Sequence, residues 1–291
     1  MATILDPARS GAQTLLQSTA RYRAMVNQLL DAELPEPEAL SPLAQACRYA
    51  LCSGGKRFRP ILVLILAEAV GGDLEAAGHA AVAIECFHTA SLIADDLPCM
   101  DDDDERRNRP STHKVFGEAV ALLASYALIS KGYGKLAEAA RVLPGENRAI
   151  LALECITRNT GIDGASGGQF LDIFATDHSL ETLRTVVEKK TGTLFEVSFV
   201  LGWLFGGGDV ERLDRVCETA QHYGMAFQIA DDFLDVSQDA TNGRDFNFVA
   251  LMGAEQAKAE FLREKAAFKA GLEDLGLAES GLCCLVDLLR I

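Results

Sequence analysis

Residues 74–104 read LEAAGHAAVAIECFHTASLIADDLPCMDDDD. Leu74 to Asp96 has the periodicity of one long helix, whose interior carries small and apolar residues together with Glu85 and His88. Pro98 disfavours helix at Leu97, so the helix ends on a crowd of carboxylates. Carboxylates at a helix C-terminus are locally unfavourable, because the helix dipole is negative there, and their mutual repulsion adds to the cost. Divalent cations relieve both penalties. On an ideal helix Asp95 and Asp101 would lie about 600° apart, on different faces. A break at Pro98 lets Asp101 fold back to the rim that holds Asp95. The alternative is a solvated acidic loop. An EF-hand is excluded: counted from Asp101, the sixth position is Arg106 rather than Gly, and the twelfth is Thr112 rather than Glu.

Helical periodicity continues on both sides of this stretch. Leu15, Leu16, Met25, Val26, Leu29 and Leu30 fit one amphipathic helix, and residues 44–52 fit another. Residues 60–70 open with Pro60, a good first-turn residue. Further helices are predicted over 116–143, stopped by Pro144-Gly145, and over 148–159, 180–205, 210–235 and 254–274. Strand signals are nearly absent, and Asn242-Gly243 follows a helix and marks a turn. Gly and Pro fall at intervals of roughly 20 to 30 residues, as between the long helices of a bundle. No linker, low-complexity tract or fixed repeat divides the chain. The reading is all-α, a single domain over residues 1–291, with residues 1–20 as an N-terminal extension.

The chain has 291 residues, 49% of them hydrophobic, enough for a large buried core. Its net charge of -15 excludes nucleic acid as a partner, since phosphate backbones need a basic surface. An acidic protein that takes anionic substrates needs metal ions as intermediaries. Eight cysteines at irregular spacings, with no CxxC pair, argue against zinc. Most lie in apolar stretches and read as buried thiols of a reducing compartment. There is no secretory pattern, although the few acids in the first twenty residues leave a removed transit peptide open. The longest apolar run, Ile61 to Ala67, is far short of the ~20 residues of a membrane span. A cytoplasmic location is expected.

A second acidic group is FQIADDFLD, residues 227–235. Asp231 and Asp235 are i and i+4 and project from one helix face, where they can share a cation. A solvated charged face would not need Phe227, Phe233 and Leu234 beside it. Two separated Asp motifs, each ending an apolar helix, suit several Mg²⁺ ions. Mg²⁺ takes few protein carboxylates and fills its shell with water and phosphate oxygens. Basic groups complement them. GGKRFRP (54–60) sets Lys56, Arg57 and Arg59 in a turn before a helix, Arg106-Arg107 follow the first acidic run, and Lys189-Lys190-Thr191-Gly192 form a third group.

From about residue 45 to 253 the chain resembles the trans-prenyl diphosphate synthases, the family of farnesyl and geranylgeranyl diphosphate synthases. The resemblance rests on DDLPCMDDDDERRNRPSTH (95–113), GGKRFRP, GQFLD (168–172), KTG (190–192) and FQIADDFLD, in the family's order. It implies the isoprenoid synthase fold, a helical bundle around a deep central cavity. Asp95 and Asp101 would hold two Mg²⁺ ions, and Asp231 with Asp235 a third. Arg106 would grip the allylic diphosphate, Lys190, Thr191 and Gln228 would line its site, and Lys56, Arg59, His88 and Arg107 would hold isopentenyl diphosphate. A homodimer is also implied.

The chain departs from the pattern in places. Ala94 stands where many members have His, Ser125-Tyr126 where Gly-Asp is common, and Ala165 where Met is usual. After Asp239 the segment ATNGRDFNFVALMG is short and lysine-free, with Arg244 a weak substitute. Chain length is set in this family upstream of the first Asp pair. Ala90 and Ser91 are small there, which favours a twenty-carbon product over fifteen, and Phe87 one turn earlier would form a floor. Two other readings compete. A class I terpene cyclase would carry an NSE- or DTE-like second motif and would not need GGKRFRP. A non-catalytic regulatory subunit would have no need of clustered carboxylates.

Overall fold

The computed structural model describes the backbone of residues 7–34, 41–145, 147–242 and 246–291, and the side chains of 19–34, 41–145, 147–234 and 246–291. Helix α4 (Leu74–Asp95) is buried along most of its length. Its Ala and Gly side chains let neighbours approach on every side, as expected of a helix with little polar face. Helix α3 (Phe58–Ala69) and helix α10 (Thr193–Phe205) flank it, and every residue of α10 is buried. At Gly202 a Cβ would lie 2.7 Å from the Val63 carbonyl oxygen, so α10 meets α3 backbone to backbone. Helix α6 (Glu118–Val142) packs along the other side of α4.

Around these helices lie α1 (Pro7–Ala32), α2 (Pro42–Cys52), α7 (Arg148–Thr160), α8 (Ala165–Phe174), α9 (Leu180–Val187), α11 (Leu213–Asn242), α13 (Ala254–Asp274) and α14 (Leu282–Asp287). Of the stretch read from sequence as an extension, residues 7–20 belong to α1. The described residues contain one sheet, the minimal hairpin of β1 (Glu105–Arg106) and β2 (Arg109–Pro110). Its turn residues Arg107 and Asn108 both have positive φ, as a two-residue hairpin turn with the strand's twist requires.

Several expected helices differ in detail. Helix α3 starts at Phe58, so Pro60 is its third residue, where its missing N–H costs nothing. The stretch 116–143 is two helices: Gly117, at φ 83, separates α5 (Thr112–Phe116) from α6. The stretch 180–205 is interrupted at Glu188–Gly192 by a π-helical turn between α9 and α10. The segment 210–212 is a 3₁₀ turn before α11. Helix α8, a short α12 (Phe248–Met252) and α14 are additional. Among the described residues no helix is long and apolar enough to cross a membrane. None of the eight cysteines forms a disulfide, and only Cys99 is exposed.

Candidate active site

The end of α4 builds the first acidic rim. Asp96 N–H bonds the Leu92 carbonyl at 3.1 Å, as a last helical bond. After Pro98 the chain turns back, and the Asp101 N–H donates to the Asp95 carbonyl at 2.9 Å. The break thus brings Asp101 beside Asp95, although an unbroken helix would part them. Burial pushes the Asp95 carboxyl up to about 6; Lys190 opposes the rise, and Asp101 and Asp96 add to it. Asp96 is turned inward, 2% exposed, and accepts from Arg106 Nε at 2.8 Å. Arg106 also pairs with Asp103 at 2.6 Å.

A cavity of about 400 Å³ opens from this rim between α4, α6 and α8. Asp95 and Lys190 stand at one end, with Ala94, Ser91 and Ala90 along the α4 wall and Phe87 beyond them. The eight residues from Asp95 to Phe87 rise about 12 Å along the helix. Phe87 is held by α6. Its ring lies over Gly132, where a Cβ would come within 2.8 Å of Cζ, and edge-on to Tyr133 at 5.1 Å. Apart from its acidic and basic end, the wall is mostly apolar: Ile129, Phe170 and Phe174 also face the cavity.

The π-turn carries Lys190 and Thr191 into this region. It sits between two glycines: a Cβ at Gly168 of α8 would lie 2.4 Å from Lys190 N, and one at Gly224 of α11 would lie 2.9 Å from Gly192 Cα. Lys190 Nζ pairs with Asp172 at 2.5 Å, and Thr191 Oγ1 donates to Gln228 Oε1 at 3.0 Å. Gln228 Nε2 in turn donates to Asp232 at 2.9 Å, whose second oxygen accepts the Phe248 N–H at 2.8 Å. Asp232 is therefore the inward, structural member of its pair, as Asp96 is of the first. Asp231 is partly buried on α11, three residues after Gln228. The side chains of residues 235–245, Asp235 and Arg244 among them, lie outside the described residues, whereas the later part of the lysine-free segment, from Phe246, is described and includes α12.

A separate cationic cluster, Arg59, His88 and Arg107, gathers against α4 about two turns before the rim. Arg59 donates to His88 Nε2 at 3.2 Å, and its guanidinium sits 4.8 Å from the centre of the Phe195 ring. Burial holds His88 well below its ordinary pKa, with Arg59, Arg107, Arg106 and Arg57 adding to the effect, so the ring is neutral. Burial lowers Arg59 to about 10, against the pull of Glu85. Arg59 Nε and His88 Nδ1 are buried without a protein partner. Arg107 donates to the Gly54 carbonyl at 2.8 Å and pairs with Glu85 at 3.3 Å. Lys56 is exposed on its loop.

The carboxylates suit a hard divalent cation. Asp95 and Asp101 offer only oxygen ligands, and Gln169, whose Nε2 donates to Asp101 at 3.3 Å, leaves its own Oε1 buried and without a partner. Burial leaves Asp95 charged only reluctantly, which a cation would relieve. The GQFLD block by itself assigns no role to Gln169 or Asp172; only the contacts of α8 with the rim and the π-turn reveal one.

Comparison with known proteins agrees with this arrangement. The sequence pattern described as polyprenyl synthetase matches residues 41–247. The heterodimeric geranylgeranyl pyrophosphate synthase large subunit 1 of Arabidopsis thaliana, a chloroplastic protein, is 40% identical over 260 residues, which are 83% of this chain and 70% of that one. The chloroplastic geranylgeranyl pyrophosphate synthase of Capsicum annuum is 40% identical over 255 residues, 82% of this chain and 68% of that one. The crystal structure of an FPP/GFPP synthase from Zymomonas mobilis superposes with a TM-score of 0.86 at 32% identity, over 96% of this chain and 99% of that one. A geranyltranstransferase from Thermotoga maritima gives 0.77 at 28% identity, over 93% and 97%. An all-α bundle with the isoprenoid synthase fold, a carboxylate-rimmed apolar cavity and a matching family pattern together establish that the chain belongs to the polyprenyl synthetase family and is a prenyl diphosphate synthase.

Proposed function

We propose that the chain condenses isopentenyl diphosphate head to tail with an allylic diphosphate and releases geranylgeranyl diphosphate. The observation that carries this reading is the pairing of two different anion sites against one helix: a carboxylate rim at the head of the 400 Å³ cavity, and a cationic cluster of Arg59 and Arg107 around neutral His88. The first needs a metal to accept a diphosphate; the second does not. The names of the Arabidopsis and Capsicum relatives support the twenty-carbon product.

In this reading Asp95 and Asp101 hold two Mg²⁺ ions and Asp231 with Asp235 a third. The ions supply Lewis-acid neutralisation of a leaving diphosphate. Lys190, Thr191, Gln228 and Arg106 bind the allylic diphosphate. Lys190 and Arg106 add fixed positive charge where the leaving group becomes more negative, the electrostatic contribution that usually dominates such catalysis. Lys56, Arg59, His88 and Arg107 bind isopentenyl diphosphate, whose alkene attacks the allylic carbon as the C–O bond breaks. The proton lost from the new chain passes to the released diphosphate. The apolar cavity wall, Ile129, Phe170 and Phe174 among it, shields the allylic carbocation that develops as the C–O bond breaks. Ala90 and Ser91 leave room for the growing chain and Phe87 stops it.

A homodimer fits the apolar face that Leu122, Leu123 and Tyr126 of α6 and Ile150 and Leu153 of α7 leave exposed. A reducing compartment, and with it the cytoplasm, fits eight unpaired thiols. The test is incubation of the purified chain with radiolabelled isopentenyl diphosphate and five-, ten- or fifteen-carbon allylic primers, in Mg²⁺ and in EDTA. A twenty-carbon product in Mg²⁺ alone is expected. Failure to incorporate label with every primer in Mg²⁺ overturns the reading and favours a non-catalytic subunit.

A further inference from the structure

Glu85 is the charged residue inside the opening helix that the reaction leaves unused. It is 1% exposed in the middle of α4, where an unpaired carboxylate would be very costly. Its Oε1 accepts from two arginines that come from different loops, Arg57 and Arg107. Both stand in the left-handed backbone region, at φ 51 and φ 57, which non-glycine residues hold only when their surroundings fix them there. Arg57 follows Gly54 and Gly55, also at positive φ, and is the residue from which α3 starts. Arg107 is the first turn residue of the β1–β2 hairpin.

The two loops also meet each other. Arg107 bonds the Gly54 carbonyl and lies flat against Gly55, where a Cβ would come within 2.8 Å of its Nε. Arg57 is further tied to the Leu51 carbonyl at 2.7 Å and to Asn27 at 3.2 Å. One carboxylate thus sits among Arg57, Arg59 and Arg107. It neutralises the most deeply buried of them, Arg57, and the cluster stays cationic because three arginines face one carboxylate while His88 is neutral.

We infer that Glu85 is the positioning residue of the isopentenyl diphosphate site: by holding Arg57 and Arg107 on one oxygen it fixes both strained loops, and so aims Arg107 and the Lys56–Arg59 turn at the same diphosphate. The inference rests on the proposed function for the identity of that diphosphate. It separates Glu85 from a merely structural carboxylate through the substrate whose affinity depends on it. The rim carboxylate Asp95 lies ten residues further along α4, about 15 Å at the helical rise, and Arg106, although next to Arg107, is held by Asp96 and Asp103.

The experiment compares the full chain with Glu85→Gln and with Glu85→Gln/Arg57→Gln, the second removing the charge left unpaired by the first. Each protein is checked by circular dichroism and thermal melting. KM is then measured for isopentenyl and allylic diphosphate separately, and isopentenyl diphosphate binding by calorimetry. At least a tenfold rise in KM and Kd for isopentenyl diphosphate is expected in both variants, with the allylic KM within twofold. Glu85→Asp, which keeps the charge, should recover part of the loss. Equal rises for the two substrates, a fall in kcat alone, or failure of both variants to fold would overturn the inference and leave Glu85 a role in stability only. A wild-type chain that binds isopentenyl diphosphate but makes no product would count against the proposed function while the calorimetric comparison still tests Glu85.

Discussion

Asp95 makes the metal-free protein less stable than it would be without that charge, and the size of the penalty follows from its surroundings. Its carboxyl is pushed from 3.8 to about 6, chiefly by burial. At 1.36 kcal/mol for each pH unit, that gap amounts to about 3 kcal/mol of destabilisation when the group is ionised. Because Asp95 keeps part of its surface in water, about 2 kcal/mol is expected in practice. The sign follows from proton linkage. The folded state binds this proton more tightly than the unfolded state, so the penalty is absent below about pH 4, grows between pH 4 and 6, and is complete above about pH 6. Asp95→Asn keeps the shape and removes the charge. In EDTA at pH 8 the variant should resist urea better than wild type by about 2 kcal/mol, or melt about 4–8 °C higher. The advantage should vanish as the pH falls toward 4. Mg²⁺ with inorganic diphosphate should then stabilise wild type and leave the variant nearly unchanged, because a ligand stabilises only the state that binds it. Synthase activity of the variant should be lost. A wild type as stable as Asp95→Asn at pH 8 in EDTA, or an advantage that ignores pH, refutes the account of the rim.

Three other outcomes are expected. Ala90→Tyr places a ring in the cavity wall between the rim and Phe87, so chromatography of the products should show fifteen-carbon in place of twenty-carbon chains. Gly132→Ala puts a methyl within 2.8 Å of Phe87 Cζ; the ring should be driven toward the cavity, and the mean product length should fall without loss of primer turnover. Gly202→Ala overpacks the contact with the Val63 carbonyl and Leu66, and calorimetry should report a loss of about 1–3 kcal/mol with product length unchanged.

Much of this architecture is visible in short-range patterns. Helix α13 runs over the predicted residues 254–274, because an amphipathic repeat bounded by Gly253 needs no distant partner to be recognised. The Pro98 break and the return of Asp101 follow from the backbone limits of one residue. Helix α8 was not expected, since Gly164, Gly167 and Gly168 weaken helix locally. Gly168 is there for a tertiary reason: only a residue without a side chain lets α8 lie on the backbone at Lys190. The π-turn, EKKTG, was likewise hidden inside the single helix expected over 180–205.

The sequence by itself determined the helical class, the two acidic motifs and the kinds of charge available, because these depend on residues no more than a turn or two apart. Tertiary structure alone decided which carboxylate of each pair turns inward, that Gln169 reaches Asp101, and that Glu85 joins Arg57 to Arg107. The contacts of Gln169 and Glu85 link residues 22 to 68 positions apart. Their energies arise from burial and from shared partners, and neither exists until the helices have packed.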